Sequence, residues 1–280
     1  APFDILADKL RGYFGLTIDM FERPEKVLAA CEALMPHIFH VALGGADPDR
    51  NAPIAFWMHR GCVPFISPEW FDSHYWPTLK PIVEELWAHG HQTLFYAEGE
   101  WNYHLDSFAE LPDCSIVYHV DRGDILEVHE KLGQKFCLSG GIPNYLLSFG
   151  TPDQVRAYCK KVIDGVGQDG GYIMDASAII QNDAKVENMI ALTDFVREYG
   201  VYSSSADPMP SSCNPSDEAA DSGRIPVAED PGNRPGVCIP WDEKRLEIPQ
   251  IQGDPQLVQR IWEDIDNFGH NYIWQILLGF

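Results

Sequence analysis

Five short apolar runs, each followed by a polar loop and then a helix-period stretch, constrain this chain more than any other feature. They fall at residues 54–59, 92–98, 115–121, 135–140 and 171–175. Runs such as Ile-Ala-Phe-Trp-Met and Ile-Val-Tyr-His-Val are apolar at odd and even positions alike, which suits strands covered on both faces. Strand, loop and helix repeated in this way predict βα units on a parallel sheet. The intervening helices carry their own signals. Residues 24–43 place Val27, Cys31, Leu34 and Ile38 on one helical stripe, with Pro24 at the start and Gly44-Gly45 at the end. Ser67-Pro68-Glu69 caps an aromatic-rich helix running to about Ala88, where Pro77 and Pro81 are expected to break or kink it. Further helices are predicted near 124–132, from Thr151-Pro152-Asp153 to about Val166, and over 186–199. No GxGxxG or GxxxxGKS motif accompanies these units, so a nucleotide-binding sheet lacks its usual sign.

Charge excludes whole classes of partner. The 280 residues hold 42 acidic and 20 basic side chains, a formal charge of −22. A nucleic-acid binder needs a basic surface for phosphate contacts, and anionic lipid would be repelled. The hydrophobic share of 45%, with 12% aromatic, is enough for a large core. No run of about 18 apolar residues is evident, so nothing is expected to span a membrane, and a cytoplasmic location is expected. The 7 cysteines are scattered without a CxxC pair and are expected to be free thiols. Residues 203–236 are dense in Ser, Pro, Asp and Gly, whereas 251–280 regain an apolar pattern. The expected organisation is a barrel-like unit over 1–205, an arm over 206–250 and a helical extension over 251–280.

Several stretches resemble the uroporphyrinogen decarboxylase superfamily. They are Phe65-Ile-Ser-Pro-Glu-x-Phe with Pro77-x-x-Lys, then Gly140-Gly-Ile-Pro-Asn-Tyr-Leu-Leu with Phe149-Gly-Thr-Pro-Asp-Gln-Val. Gly170-Gly-Tyr-Ile and Glu187-Asn-Met-Ile-Ala-Leu-x-Asp-Phe-Val-Arg-Glu-Tyr-Gly complete the order over about residues 1–200. The resemblance implies a (β/α)8 TIM barrel, an α/β fold with its site at the C-terminal ends of the strands. It starts at what looks like the family's third strand, Ala1-Pro2-Phe3-Asp4, so the N-terminal strands are expected to be missing from this chain. A second chain completing the barrel, or a homo-oligomer, is the corresponding partner expectation.

Two activities share that fold, and departures from pattern choose between them. The Arg-rich segment and Gly-His-Gly turn of the decarboxylases have no counterpart, the turn being Ser177-Ala178-Ile179 here. The His-x-Cys zinc site of thiol methyltransferases is replaced by Tyr96-Ala97-Glu98. What remains resembles the branch that removes methyl groups from ethers or amines and passes them to a corrinoid protein. No Asp-x-His-x-x-Gly corrinoid motif is present, so that cofactor (a cobalamin) is expected on a partner protein. The alternatives are a decarboxylase and a non-catalytic barrel subunit.

The strand ends supply the candidate residues. Glu98, before Gly99, is a candidate metal ligand or proton donor to a leaving oxygen. His119 and Asp121 lie two apart and face the same way, and Glu98 with His119 suits a zinc site of N and O ligands. Asp175 ends the last strand in a position that the family uses for chemistry. The expected catalytic set is therefore Glu98, Asp175 and His119. His59, Trp57, Tyr96, Trp101, Asn102 and Asp121 are the expected substrate-binding set, with Phe56 and Tyr103 as further aromatic candidates.

Overall fold

The computed structural model describes residues 1–168, 170–201, 225, 238–248 and 250–278. Its centre is a five-stranded parallel sheet in the order β1-β2-β3-β4-β5. The strands are Ile54–Met58 (β1), Thr93–Ala97 (β2), Ile116–Val120 (β3), Cys137–Ile142 (β4) and Tyr172–Ala176 (β5). Each lies within a residue or two of its predicted run. Sequential order with parallel pairing is the arrangement that right-handed crossovers produce in a barrel wall.

Helices surround this wall. In chain order they are α1 (Pro2–Ile5), a π turn over Leu6–Leu10, α2 (Tyr13–Glu22), α3 (Pro24–Gly44) and α4 (Pro68–Trp70). A second π turn, Phe71–Tyr75, leads into α5 (Trp76–Ala88), followed by α6 (Leu105–Phe108) and α7 (Ile125–Leu132). Next come α8 (Asn144–Phe149), α9 (Pro152–Val166), α10 (Val186–Tyr199), α11 (Trp241–Glu247) and α12 (Pro255–Leu278). The expected break at Pro77 and Pro81 resolves physically as that second π turn, with Pro77 in the first turn of α5 and Pro81 inside it. α9 begins with a full capping box, in which Thr151 and Gln154 each accept from the other's backbone N–H.

Three expectations are corrected. Ala1-Pro2-Phe3-Asp4 is not a strand but the cap and first residues of α1. Pro2 at the first helical position favours this, and Asp4 then turns inward to backbone donors that a strand could not bring to it. Cys114 is disulfide-bonded rather than free, while Cys31, Cys62, Cys137, Cys159 and Cys238 carry free thiols. α3 is long and apolar enough to cross a membrane by length and composition. Its buried stripe, including Val27, Cys31, Leu34 and Ile38, packs instead among α1, α2, α5 and α12. The expected arm over 206–250 lies largely outside the described residues.

The two faces of the sheet differ, and this difference creates the site. Phe56, Met58, Phe95, Ala97, Tyr118 and Leu138 are buried on the helix-covered face, where Phe71, Tyr75, Trp101, His104 and Phe108 form an aromatic cluster. The other face is concave and partly open, with Trp57 43% and Ile173 53% exposed.

His104 in the aromatic cluster carries a stability prediction. Its ring stacks on Phe71 at 3.7 Å between centroids, and burial pushes its pKa from the ordinary 6.5 to about 4. The unfolded imidazole takes up a proton near 6.5 that the folded state refuses, so this group lowers stability as pH falls from about 6.5 toward 4. Stability contributed by a neutral His104 is fully present above that window. His104→Phe should keep the stacking and reduce the acid slope by about one proton, roughly 1.4 kcal/mol per pH unit. Urea midpoints at pH 7.5, 6 and 5 measure this; an unchanged slope in the variant would show that His104 titrates normally.

Candidate active site

The strand register builds two rows across the concave face. Trp57 pairs with Tyr96, Tyr96 with His119, His119 with Ser139, and Ser139 with Ile173. Two residues further along each strand, at the C-terminal rim, come His59, Glu98, Asp121, Gly141 and Asp175. Side chains two apart share a face, so the rim row looks into the same concavity as the row beneath it. Seven of the nine expected residues are thereby sorted by simple period: Trp57, Tyr96 and His119 stand in the lower row and His59, Glu98, Asp121 and Asp175 at the rim of the same face.

The central contact joins the first two strand ends. His59 Nδ1 lies 3.1 Å from Glu98 Oε2, and both side chains are partly open to solvent. On its other side, His59 Nε2 is 3.6 Å from Asp8 Oδ2, and Asp8 Oδ1 accepts from Arg60 Nε at 2.8 Å. Arg60 in turn lies over the rings of Tyr13 and Phe65. Beneath this layer, buried Asp4 accepts from the backbone N–H groups of His59 at 3.2 Å and Arg60 at 2.8 Å, and from Tyr75 Oη at 2.8 Å. Asp4 thus fixes the turn that presents His59. Asp4 and Asp8 were not among the expected site residues, although their four-residue spacing on one helix face is a signal in the sequence.

His119 sits deeper. The residue is 2% exposed, its ring stacks on Tyr96 at 4.7 Å, and Nδ1 is 3.2 Å from Ser139 Oγ. Burial pushes its pKa down, opposed by the nearby Asp175 and Asp121 carboxylates, and Nε2 has no hydrogen-bond partner. Gly140 makes this packing possible: a Cβ there would lie 2.4 Å from the Val120 carbonyl oxygen and 3.0 Å from His119 Cε1, at a φ of +84°. Tyr96 Oη accepts from the Ile179 N–H at 2.8 Å. Burial raises its pKa, and Glu98, Asp175 and Asp121 add to the effect. Asp175 is an exposed carboxylate of the same face.

Other expected residues have structural work. Asp121 accepts from Gly99 N at 2.7 Å and Ala178 N at 3.1 Å, so both carboxylate oxygens brace the loops after β2 and β5. Trp101 does not line the pocket. It is 1% exposed within the helix-side aromatic cluster and donates its indole N–H to the Glu98 carbonyl at 2.8 Å, steadying the backbone beneath the carboxylate. Asn102 is tied to the next βα unit instead, donating to Glu127 Oε2 in the first turn of α7 at 2.7 Å. Phe56 points to the helix side, and Tyr103 is a surface ring. Loop residues follow no two-residue period, which is why Trp101 and Asn102 misled the reading.

A metal does not fit well here. Among the described residues no group of three or more His, Cys, Asp or Glu is placed to hold one. Glu98 is engaged by His59, and His119 lies one row lower with Ser139, so the expected zinc pair has no third ligand.

A cavity of about 830 Å3 runs along the free edge of β1, bounded by α1, α3 and Leu278, with Asp8, His59 and Trp57 at one end. The concave face and this cleft meet at His59. Such a position, at the C-terminal ends of parallel strands, is where barrel enzymes place their chemistry.

Comparison with known proteins agrees with this geometry. No curated protein matches the chain. A methyltransferase from Methanosarcina mazei has a similar fold, with a TM-score of 0.58 at 19% identity. The match covers 72% of this chain and 57% of that one, so the chain spans less than two thirds of its neighbour's length. The five strands correspondingly account for part of a (β/α)8 wall. The family model described as "Uroporphyrinogen decarboxylase (URO-D)" matches residues 1–199, the stretch that carries all five strands and the two rows of the concave face; the chain belongs to the uroporphyrinogen decarboxylase family.

Proposed function

We propose that the chain forms the catalytic wall of a methyltransferase that moves a methyl group from a methoxylated or methylated small molecule to a corrinoid carried by a separate protein. The observation that carries this reading is the His59–Glu98 pair, 3.1 Å apart at adjacent strand ends and beside the exposed Trp57 ring. A methyl–oxygen bond breaks readily only if the oxygen leaves with its charge neutralised. In the proposed step the bonding electrons stay on oxygen, Glu98 gives that oxygen a proton, and His59 returns a proton to Glu98 and regains its own from solvent through its partly open ring. The partner's corrinoid supplies the nucleophile that accepts the methyl group. Trp57 and Tyr96, with ring centroids 6.0 Å apart, offer the donor an aromatic wall.

The likeness to a methyltransferase supports this assignment. So does the charge of the face. Binding a multiply carboxylated porphyrinogen calls for cations, and neither row of the concave face contains Lys or Arg. The same acidity, with a chain charge of −22, disfavours the decarboxylase alternative.

The test is a transfer assay with a methyl-labelled donor, with and without a reduced corrinoid protein. Label should leave the donor only when the corrinoid protein is present. Demethylation by the chain without it, or release of carbon dioxide from a porphyrinogen, would overturn the assignment.

A further inference from the structure

α12 lies beyond residues 1–199 that match the family, so its role is not inherited from the family fold. Its orientation is fixed from within. Asp266 is buried and accepts from the Cys238 N–H at 3.3 Å and the Ile239 N–H at 2.8 Å. Trp262, one turn earlier, donates its indole N–H to the Ile239 carbonyl at 3.1 Å, and the helix packs on α3 and α11. The face bearing Trp262 and Asp266 is thereby held against the rest of the chain. Away from that face, Leu257, Ile261, Ile265, Phe268, Tyr272 and Ile276 form an outward row, each 46–72% exposed. Residues 267–278 contain no Lys, Arg, Asp or Glu, in a chain whose formal charge is −22. A continuous apolar row of this kind marks an interaction surface.

The spacing of the row says what fits it. Its steps are 4, 4, 3, 4 and 4 residues, which read the same from either end. A two-fold axis at the middle therefore lays the row onto a second copy of itself running antiparallel. Leu257 then stands level with Ile276, Ile261 with Tyr272 and Ile265 with Phe268, so that each ring meets an aliphatic side chain. Phe268 and Tyr272 stack in tandem on their own helix, ring centroids 6.5 Å apart, as one raised block to set against the isoleucines of the other copy. Steps of 4, 4 and 3 keep close to the period of a straight helix, so the row does not wander off the contact line. Asp264 comes level with Gly269 and Arg260 with Ile273, and no carboxylate beside the row is set against another. The exposed parts of the six side chains amount to roughly 600 Å2 per copy, about 1,200 Å2 for two, the size at which stable interfaces begin.

We propose that α12 is a self-docking surface, through which two copies of this chain pair antiparallel in an isologous two-fold contact along the Leu257–Ile276 row. The pairing is independent of the reaction at the strand ends. It reaches the site only indirectly: Leu278, at the end of α12, lines the cleft that runs along β1 to His59, and Lys9 Nζ donates to the Ile276 carbonyl at 3.4 Å. Pairing steadies that wall of the cleft.

Sedimentation velocity of the full 280-residue chain tests the proposal. A monomer–dimer equilibrium is expected, with a dissociation constant of about 10 μM or tighter for an interface of this size. It should tighten in about 0.5 M sodium chloride, because salt screens the repulsion between two acidic chains and leaves the apolar contact intact. Phe268→Glu places a carboxylate at the middle of the row and should weaken the dimer at least about tenfold. The far-UV circular dichroism of the dilute monomer should not change, since that side chain faces solvent there. I261K combined with Y272E in one chain should dimerise more tightly than either single variant, because antiparallel pairing sets each new cation against a new anion. A chain that stays monomeric at about 100 μM would overturn the proposal and leave the row to a different polypeptide. A dimer indifferent to Phe268→Glu, or a double variant weaker than both single ones as parallel pairing requires, would overturn it equally.

Discussion

Glu98→Gln is expected to lower methyl transfer by about 10²–10⁴-fold, the range over which positioned acid catalysis acts. Glutamine preserves the size of the side chain and its capacity to hydrogen-bond His59, but it has no proton to give. Glu98 is a quarter exposed at the rim and its carboxylate meets the partly open His59 ring, a contact that glutamine can keep, so the fold should be indifferent to the change. The unfolding free energy should move by less than about 0.5 kcal/mol, as for other rim substitutions. Parallel measurements of turnover and urea midpoint separate the two effects. Near-normal turnover would return Glu98 to the role of a solvated rim carboxylate.

Asp4→Ala is expected to act in the opposite way, through stability. Its carboxylate is buried and gathers the His59 N–H, the Arg60 N–H and Tyr75 Oη, and it lies 3.3 Å from the Ala1 nitrogen. Burial and the adjacent Asp4 carboxylate push the Tyr75 pKa well above its usual range, so the phenol stays a donor. Truncation strands those donors away from water, at a cost of roughly 3–5 kcal/mol. Denaturant unfolding should show the loss directly, and Asp4→Asn, which keeps an acceptor oxygen, should recover part of it. A midpoint close to wild type for Asp4→Ala would mean that the node does not hold the β1 turn.

The strands were legible because a buried parallel strand needs apolar residues on both faces, and runs such as Ile-Val-Tyr-His-Val have few other uses. Helix starts were legible where capping chemistry is local, as at Thr151 and Ser67. The candidate site was legible only as far as period reaches. Glu98, His119, Asp121 and Asp175 are strand-end residues whose direction follows from counting by two, and the structure places them on one face. That Glu98 meets His59, however, depends on the register between β1 and β2, which is a tertiary property. Asp4 was hidden because Ala-Pro-Phe-Asp-Ile-Leu reads equally as a strand start. Asp8 was hidden because its link to His59 spans fifty-odd residues of chain and needs the π turn over Leu6–Leu10 to exist first. Trp101 was misassigned for the converse reason: an aromatic loop residue is as well suited to a core as to a pocket, and only the packing around Phe71 and Phe108 decides.

The central claim, that Glu98 protonates the departing oxygen, is tested most directly by varying how much the oxygen needs that proton. A series of aryl methyl ethers with ring substituents spans leaving phenols from weakly to strongly acidic. Wild-type turnover should depend only weakly on that acidity, because Glu98 supplies the proton in the transition state. In Glu98→Gln the dependence should become steep, with the largest loss for the poorest leaving group and near-normal rates for nitro-substituted phenoxides, which leave without help. An equal fractional loss across the whole series would contradict proton donation by Glu98.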